Sequence, residues 1–174
     1  FVSLYNNVYM KVICVGWNYP KHNAELGGAE QPTVPTIFCK PDSALLKENK
    51  DFYIPDFSNQ VDYELEVVVR INKLGKSVAE KFAPRYYAQV ALGIDFTARD
   101  MQNEARATDA PWDLCKGFDG SAVVSEFRDL ETIGAINDLN FRLEINGETV
   151  QSANTGEMIF SVDKIINYVS QFYT

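Results

Sequence analysis

The chain has 174 residues, of which 46% are hydrophobic, and a formal net charge of −8 at neutral pH. That suits one globular domain with a sizeable core, and the acidic balance argues against nucleic acid or an anionic membrane as partner, since either would want a basic face. No apolar run approaches the roughly 18 residues that would cross a bilayer, and no secretory signal pattern is visible.

Met10, before Lys11-Val12-Ile13-Cys14-Val15, reads as a natural start, with residues 1–9 as an N-terminal extension or cloning-derived residues and 10–174 as one folding unit. A strand over 11–15 leads into Gly16-Trp17-Asn18-Tyr19-Pro20-Lys21-His22-Asn23-Ala24-Glu25-Leu26-Gly27. Pro20 suits the first turn of a helix over about 19–26, and Gly27-Gly28 would end it. His22, the only histidine, then stands three residues before Glu25 on one helical face. A carboxylate beside an imidazole fixes its tautomer and raises its basicity, as a general base acting on water requires. The same spacing also serves a surface ion pair of no consequence.

A strand over 36–39 runs into Phe38-Cys39-Lys40-Pro41, where Lys40 receives no role. The next strand, 61–71, contains Asp62-Tyr63-Glu64-Leu65-Glu66-Val67-Val68-Val69. Side chains alternate across a strand, so Glu64 and Glu66 share a face, roughly 7 Å apart at Cα, with Asp62 in line. Like charges this close repel, and burying them costs several kcal/mol unless a cation, arginine or lysine partners, or open solvent neutralise them. After a turn at 72–76, a helix is expected over 78–88 and a strand over 88–96, whose apolar run ends in Asp95. Glu64, Glu66 and Asp95, with no cysteine or histidine beside them, describe an oxygen-ligand site for Mg²⁺ or Mn²⁺.

A helix over 97–107, capped by Thr97, puts Arg99 and Gln102 one turn apart, close to the carboxylates. A guanidinium there can hold a substrate carboxylate or a ligand aspartate in fork geometry. Lys116 lies in the loop Pro111–Gly120, entering a strand over 121–125. Among apolar neighbours it can stabilise a developing enolate or oxyanion, or snorkel to solvent. A hairpin follows (140–145 and 148–151), turning at Asn146-Gly147, and then a helix over 162–172 with Ser161 or Asp163 as its cap. Cys14, Cys39 and Cys115 are odd in number and far apart. They read as reduced packing residues of a cytosolic protein. Strands dominate, so the expected fold is mainly β with peripheral helices, in the α+β class.

Six pieces in order, G-W-N-Y-x-x-H-x-x-E, F-x-K-P, D-Y-E-L-E, G-x-D-x-T-A-R-D-x-Q, P-W-x-x-x-K-x-F-D and Asn146-Gly147-Glu148 with N-T-x-x-M-I-F, cover essentially the whole chain from Met10. Together they resemble the fumarylacetoacetate hydrolase family, most closely its small acylpyruvase-like members. The resemblance implies mixed sheets rolled into a barrel-like core, a homodimer, and Mg²⁺ or Mn²⁺ held by Glu64, Glu66 and Asp95. It implies His22 and Glu25 as a water-activating dyad on a lid, and Arg99, Gln102 and Lys116 around a keto-acid substrate. The implied reaction is hydrolysis of a C–C bond in an acylpyruvate of the fumarylpyruvate or acetylpyruvate type. Oxaloacetate decarboxylation, isomerisation of 2-hydroxyhepta-2,4-diene-1,7-dioate, and an inactive binder of metal or keto acid are the alternatives. The family's T-G-T-P-x-G-V-G segment and later strands do not occur in this sequence, so the fold is expected to be incomplete at its C-terminal side.

Overall fold

The computed structural model describes residues 2–4, 11–20, 31–47 and 50–174. The expected helix over 19–26 falls mostly outside these residues, and so do His22 and Glu25. A seven-stranded sheet carries the architecture: β1 (Val2–Leu4), β2 (Val12–Gly16), β3 (Thr36–Lys40), β4 (Val61–Ile71), β5 (Tyr87–Ala98), β6 (Ala122–Val124) and β7 (Arg128–Asp129). The order is β3-β2-β1-β4-β5-β6, with β7 also on β5. Among the described residues the sheet stays open and does not close into a barrel. The molecule is a mixed α+β fold, mostly sheet with few helices.

β1 pairs antiparallel with β2 and parallel with β4, so Val2–Leu4 belong to the sheet. β4 and β5, both rich in β-branched and aromatic residues, form the long antiparallel ladder at the sheet's centre. Its register sets Asp62 opposite Thr97, Glu64 opposite Asp95 and Glu66 opposite Gly93. Residues directly opposite share a face, so this pairing assembles the carboxylates that alternation within β4 only suggested.

The hairpin of β8 (Asn140–Ile145) and β9 (Glu148–Asn154) forms a separate sheet. Asn146 and Gly147 both have positive φ, 52° and 83°, as a type I′ turn requires. From this hairpin Gln151 accepts from Leu65 N at 2.8 Å and donates to Tyr63 O at 3.2 Å. It thereby satisfies backbone groups of β4 beside the site.

Among the described residues four α-helices accompany the sheets: α1 (Arg99–Ala107), α2 (Asp113–Lys116), α3 (Leu130–Ile133) and α4 (Val162–Val169). Ser161 caps α4 by accepting from Lys164 N, and Val162, Ile165, Ile166 and Val169 line its buried face. One apolar cluster joins that face to Val69, Ile71, Val78, Ala83, Tyr87 and Val90, and a second joins it to Ile13 and Phe160. The core therefore backs the sheet beneath β4 and β5.

Two expected elements differ. Residues 78–88 hold only a 3₁₀ stretch, Glu80–Arg85, before β5 begins at Tyr87. Pro84 lies inside that stretch, and proline removes a donor that an α-helix needs. Lys116 ends a short helix rather than lying in a loop.

Candidate active site

Alternation along two paired strands places the acids. Glu64, Glu66 and Asp95 line one cavity of about 100 Å³, together with Arg99, Gln102 and Lys116. Lys116 arrives at the end of α2, and its ammonium contacts Glu64 Oε2 at 2.6 Å, Asp95 Oδ2 at 3.0 Å and Thr97 Oγ1 at 2.7 Å. Arg99, at the first turn of α1, donates to Asp62 at 2.7 Å, to Glu64 Oε1 at 2.6 Å and to Gln102 Oε1 at 2.5 Å. The sequence-predicted residues among the described ones therefore meet in one place.

Thr97 is a site residue that the sequence reading missed. β5 continues through Ala98, which takes the N-cap position of α1 without a side-chain hydrogen bond. Thr97, fully buried, turns to Lys116 instead. The available signal was period: Gly93, Asp95 and Thr97 alternate onto one face.

The electrostatics follow from burial and pairing. Burial alone would raise Glu64, but Lys116 and Arg99 outweigh it and bring its pKa down to about 2. Glu66 is pushed up to about 8, first by burial and then by Glu64 and Asp95. Lys116 would be lowered by burial, yet Asp95 and Glu64 more than offset this and raise it above the ordinary lysine value. The ammonium is therefore firmly charged.

The opposite wall is aromatic. Trp17, at the end of β2, has a left-handed φ of 56°, a conformation that costs a bulky residue about 1–2 kcal/mol. That turn lets its ring meet Trp112 edge-on at 5.0 Å, and Trp112 in turn meets Phe38 at 5.7 Å. Gly16 permits the approach, since a Cβ there would lie 3.1 Å from the Trp112 ring. Asn18 fastens the segment: it donates to Phe160 O at 3.0 Å, accepts from Phe160 N at 2.8 Å, and its carbonyl accepts from Ile159 N at 2.9 Å. The G-W-N-Y and M-I-F motifs are thus partners in space.

Tyr19 also lines the cavity, and its hydroxyl is buried without a hydrogen-bond partner among the described residues. Tyr19→Phe is expected to leave the ligand-free protein unchanged or up to about 1 kcal/mol more stable, since an unsatisfied buried hydroxyl is lost. The same change should raise KM several-fold if the hydroxyl meets substrate. Thermal unfolding and steady-state kinetics on one preparation check both.

A divalent cation fits the donor set in chemistry. Three hard carboxylates line one cavity, and Asp95 Oδ1 is buried without a hydrogen bond although Lys40 Nζ lies 2.8 Å away. A nearby cation would also ionise Glu66. Among the described residues, however, no three such side chains stand close enough together to hold a metal ion as they are placed. Lys116 instead lies between Glu64 and Asp95 and supplies the positive charge.

An open mixed sheet thus carries paired acids and bases at a half-aromatic cavity. The chain belongs to the fumarylacetoacetate hydrolase family: residues 11–174 match the model for the "fumarylacetoacetate (FAA) hydrolase C-terminal" domain. Members include hydrolases, tautomerases and isomerases. The chain is 39% identical to bovine (Bos taurus) mitochondrial oxaloacetate tautomerase FAHD1, over 94% of this chain and 73% of that protein. It is 34% identical to the Caenorhabditis elegans mitochondrial oxaloacetate tautomerase fahd-1, over 98% of this chain and 79% of that one. Fumarylpyruvate hydrolase from Pseudomonas aeruginosa, solved in complex with Mn²⁺ and pyruvate, superposes with a TM-score of 0.86 at 28% identity, over 99% and 77% of the two chains.

Proposed function

We propose that this protein is a divalent-cation-dependent enzyme that forms and holds the enolate of a short 2-oxo acid. The observation that carries the reading is the Lys116 ammonium, buried at the cavity between Glu64 and Asp95 and beside the Arg99–Gln102 pair. Glu64, Glu66 and Asp95 would hold Mg²⁺ or Mn²⁺, which would polarise the substrate's C1 carboxylate and C2 oxygen as a Lewis acid and template. With Glu64 and Asp95 turned to the cation, Lys116 would be released to donate a hydrogen bond to the oxygen on which enolate charge develops. Arg99, fixed by Asp62 and Gln102, orients a substrate carboxylate, and the Trp17–Trp112–Phe38 wall excludes water from the other side. Four carboxylates (Asp62, Glu64, Glu66 and Asp95) stand with three cations (Lys40, Lys116 and Arg99), so a divalent cation leaves the site positive by one charge, which favours an anionic substrate.

Keto–enol interconversion of an oxaloacetate-type β-keto diacid is the reaction these residues support best, because it asks only for enolate stabilisation and proton movement at C3. The two curated relatives named above, both oxaloacetate tautomerases, point the same way. Hydrolysis of an acylpyruvate is the second reading, favoured by the spacing of His22 and Glu25 in the sequence and by the fumarylpyruvate hydrolase likeness. It ranks second because it asks for an activated water in addition to the enolate stabilisation that Lys116 and the carboxylates support. A panel of enol-oxaloacetate, acetylpyruvate and a hydroxy-dienoate, assayed with Mn²⁺ and then with EDTA, tests the proposal. Mn²⁺-dependent ketonisation that EDTA removes is expected. Absence of any acceleration, or full activity in EDTA, would refute it.

A further inference from the structure

Lys40 is a buried cation to which this chemistry assigns nothing beyond its charge. Its side chain is 0% exposed and does not line the cavity, so it meets neither substrate nor a bound ion. Its ammonium lies 2.8 Å from Asp95 Oδ1 and donates to Ser121 Oγ at 3.0 Å, to Ser121 O at 3.3 Å and to the main-chain carbonyl of Lys116. Ser121 Oγ also donates to that carbonyl, at 2.8 Å. The two oxygens of Asp95 are thus divided between two lysines, Oδ1 facing Lys40 and Oδ2 facing Lys116.

We propose that Lys40 is a positioning residue that sets where the Lys116 ammonium stands, by holding Lys116 through its carbonyl and Asp95 through its second oxygen. The inference rests on the enolate-stabilising reading of Lys116. A buried ammonium is expensive unless fully paired, and an apolar chain of equal length would fill the same space at less desolvation cost. The charge therefore has a task, and what it touches is the two ends of one ion pair. Without Lys40, Asp95 has Lys116 as its remaining lysine, and the last turn of α2 loses a donor to its carbonyl. Lys116 is then drawn onto Asp95 and away from the substrate oxygen.

The test is Lys40→Met, which keeps chain length and removes the charge. Turnover per folded molecule is expected to fall at least about tenfold while KM shifts less than about threefold, the pattern of a loss felt in the transition state. Mn²⁺ affinity, measured by calorimetry without substrate, should stay constant or tighten, because a positive charge beside a ligand carboxylate is gone. A crystal structure of the variant should show Lys116 Nζ displaced from its position between Glu64 and Asp95. Unchanged turnover, or a matching loss of Mn²⁺ affinity, overturns the proposal. If Lys40→Met does not fold, Ser121→Ala removes the hydroxyl shared by Lys40 and the Lys116 carbonyl. A fall of about threefold in turnover at constant Mn²⁺ affinity is then expected, and no fall overturns the idea. If the unaltered protein neither binds Mn²⁺ nor acts on any keto acid, the functional reading fails separately. The variant's structure then decides alone: Lys116 kept in place overturns positioning, and Lys116 displaced supports it.

Discussion

Lys116→Met should cut turnover by about 10²–10³-fold, the range found when one preorganised donor to a developing oxyanion is removed, while Mn²⁺ binding tightens. The two effects have one cause. The Lys116 ammonium sits 2.6 Å from Glu64 and 3.0 Å from Asp95, so for a metal it is a competing cation, and in the proposed reaction it is the donor to the enolate. Removing it frees the carboxylates and deprives the enolate. Stability should also fall. Breaking a buried ion pair costs about 3–5 kcal/mol when the partner charge is stranded. Here the lower end applies, because Glu64 keeps Arg99 and Asp95 keeps Lys40. Excess Mn²⁺ should restore part of the lost stability, since a ligand that binds only the folded state stabilises it by mass action. Calorimetry for metal affinity, thermal unfolding with and without Mn²⁺, and steady-state turnover separate these terms. Weaker Mn²⁺ binding in the variant would mean that Lys116 supports the carboxylate set and does not compete for it.

How much of this site could be read from the sequence depended on whether the deciding contact was local. Alternation within one strand put Glu64 and Glu66 on a common face, and helical spacing put Arg99 and Gln102 one turn apart. Both follow from covalent geometry and hold in the structure. The pairing of Glu64 with Asp95 is a matter of register between strands. Register is set by turns and by the whole buried pattern, which no single segment carries. Lys40 shows the limit most plainly. Its hydrogen-bond partners stand 76 and 81 residues away, so Phe38-Cys39-Lys40-Pro41 held no cue to them. Thr97 was misread for a different reason: threonine before a helical run is a good N-cap, but the strand's own pairing extends through Ala98 and leaves the hydroxyl to Lys116. Cys39, read as a packing residue, is exposed, whereas Cys14 and Cys115 are buried as expected.

His22→Ala separates the reactions that share the enolate. No other histidine exists in the chain to activate water, and general-base catalysis typically contributes about 10²–10⁴-fold. Acylpyruvate hydrolysis should therefore fall by that factor. Keto–enol interconversion should fall with it if His22 also moves the C3 proton. Decarboxylation of oxaloacetate requires no attacking water and no base at C3, only stabilisation of the enolate left behind, so it should be lost less completely. Mn²⁺ affinity should barely change, because the proposed ligands are all carboxylates. A companion Glu25→Gln should lower hydrolysis in the same direction but less, since the imidazole remains and loses only its orienting partner. Measuring the reactions and Mn²⁺ binding on each variant assigns the roles. A parallel loss of metal affinity in His22→Ala would make His22 a ligand. Hydrolysis and ketonisation both unimpaired would leave the H-x-x-E pair as a surface ion pair, with proton transfer resting on residues already inside the cavity.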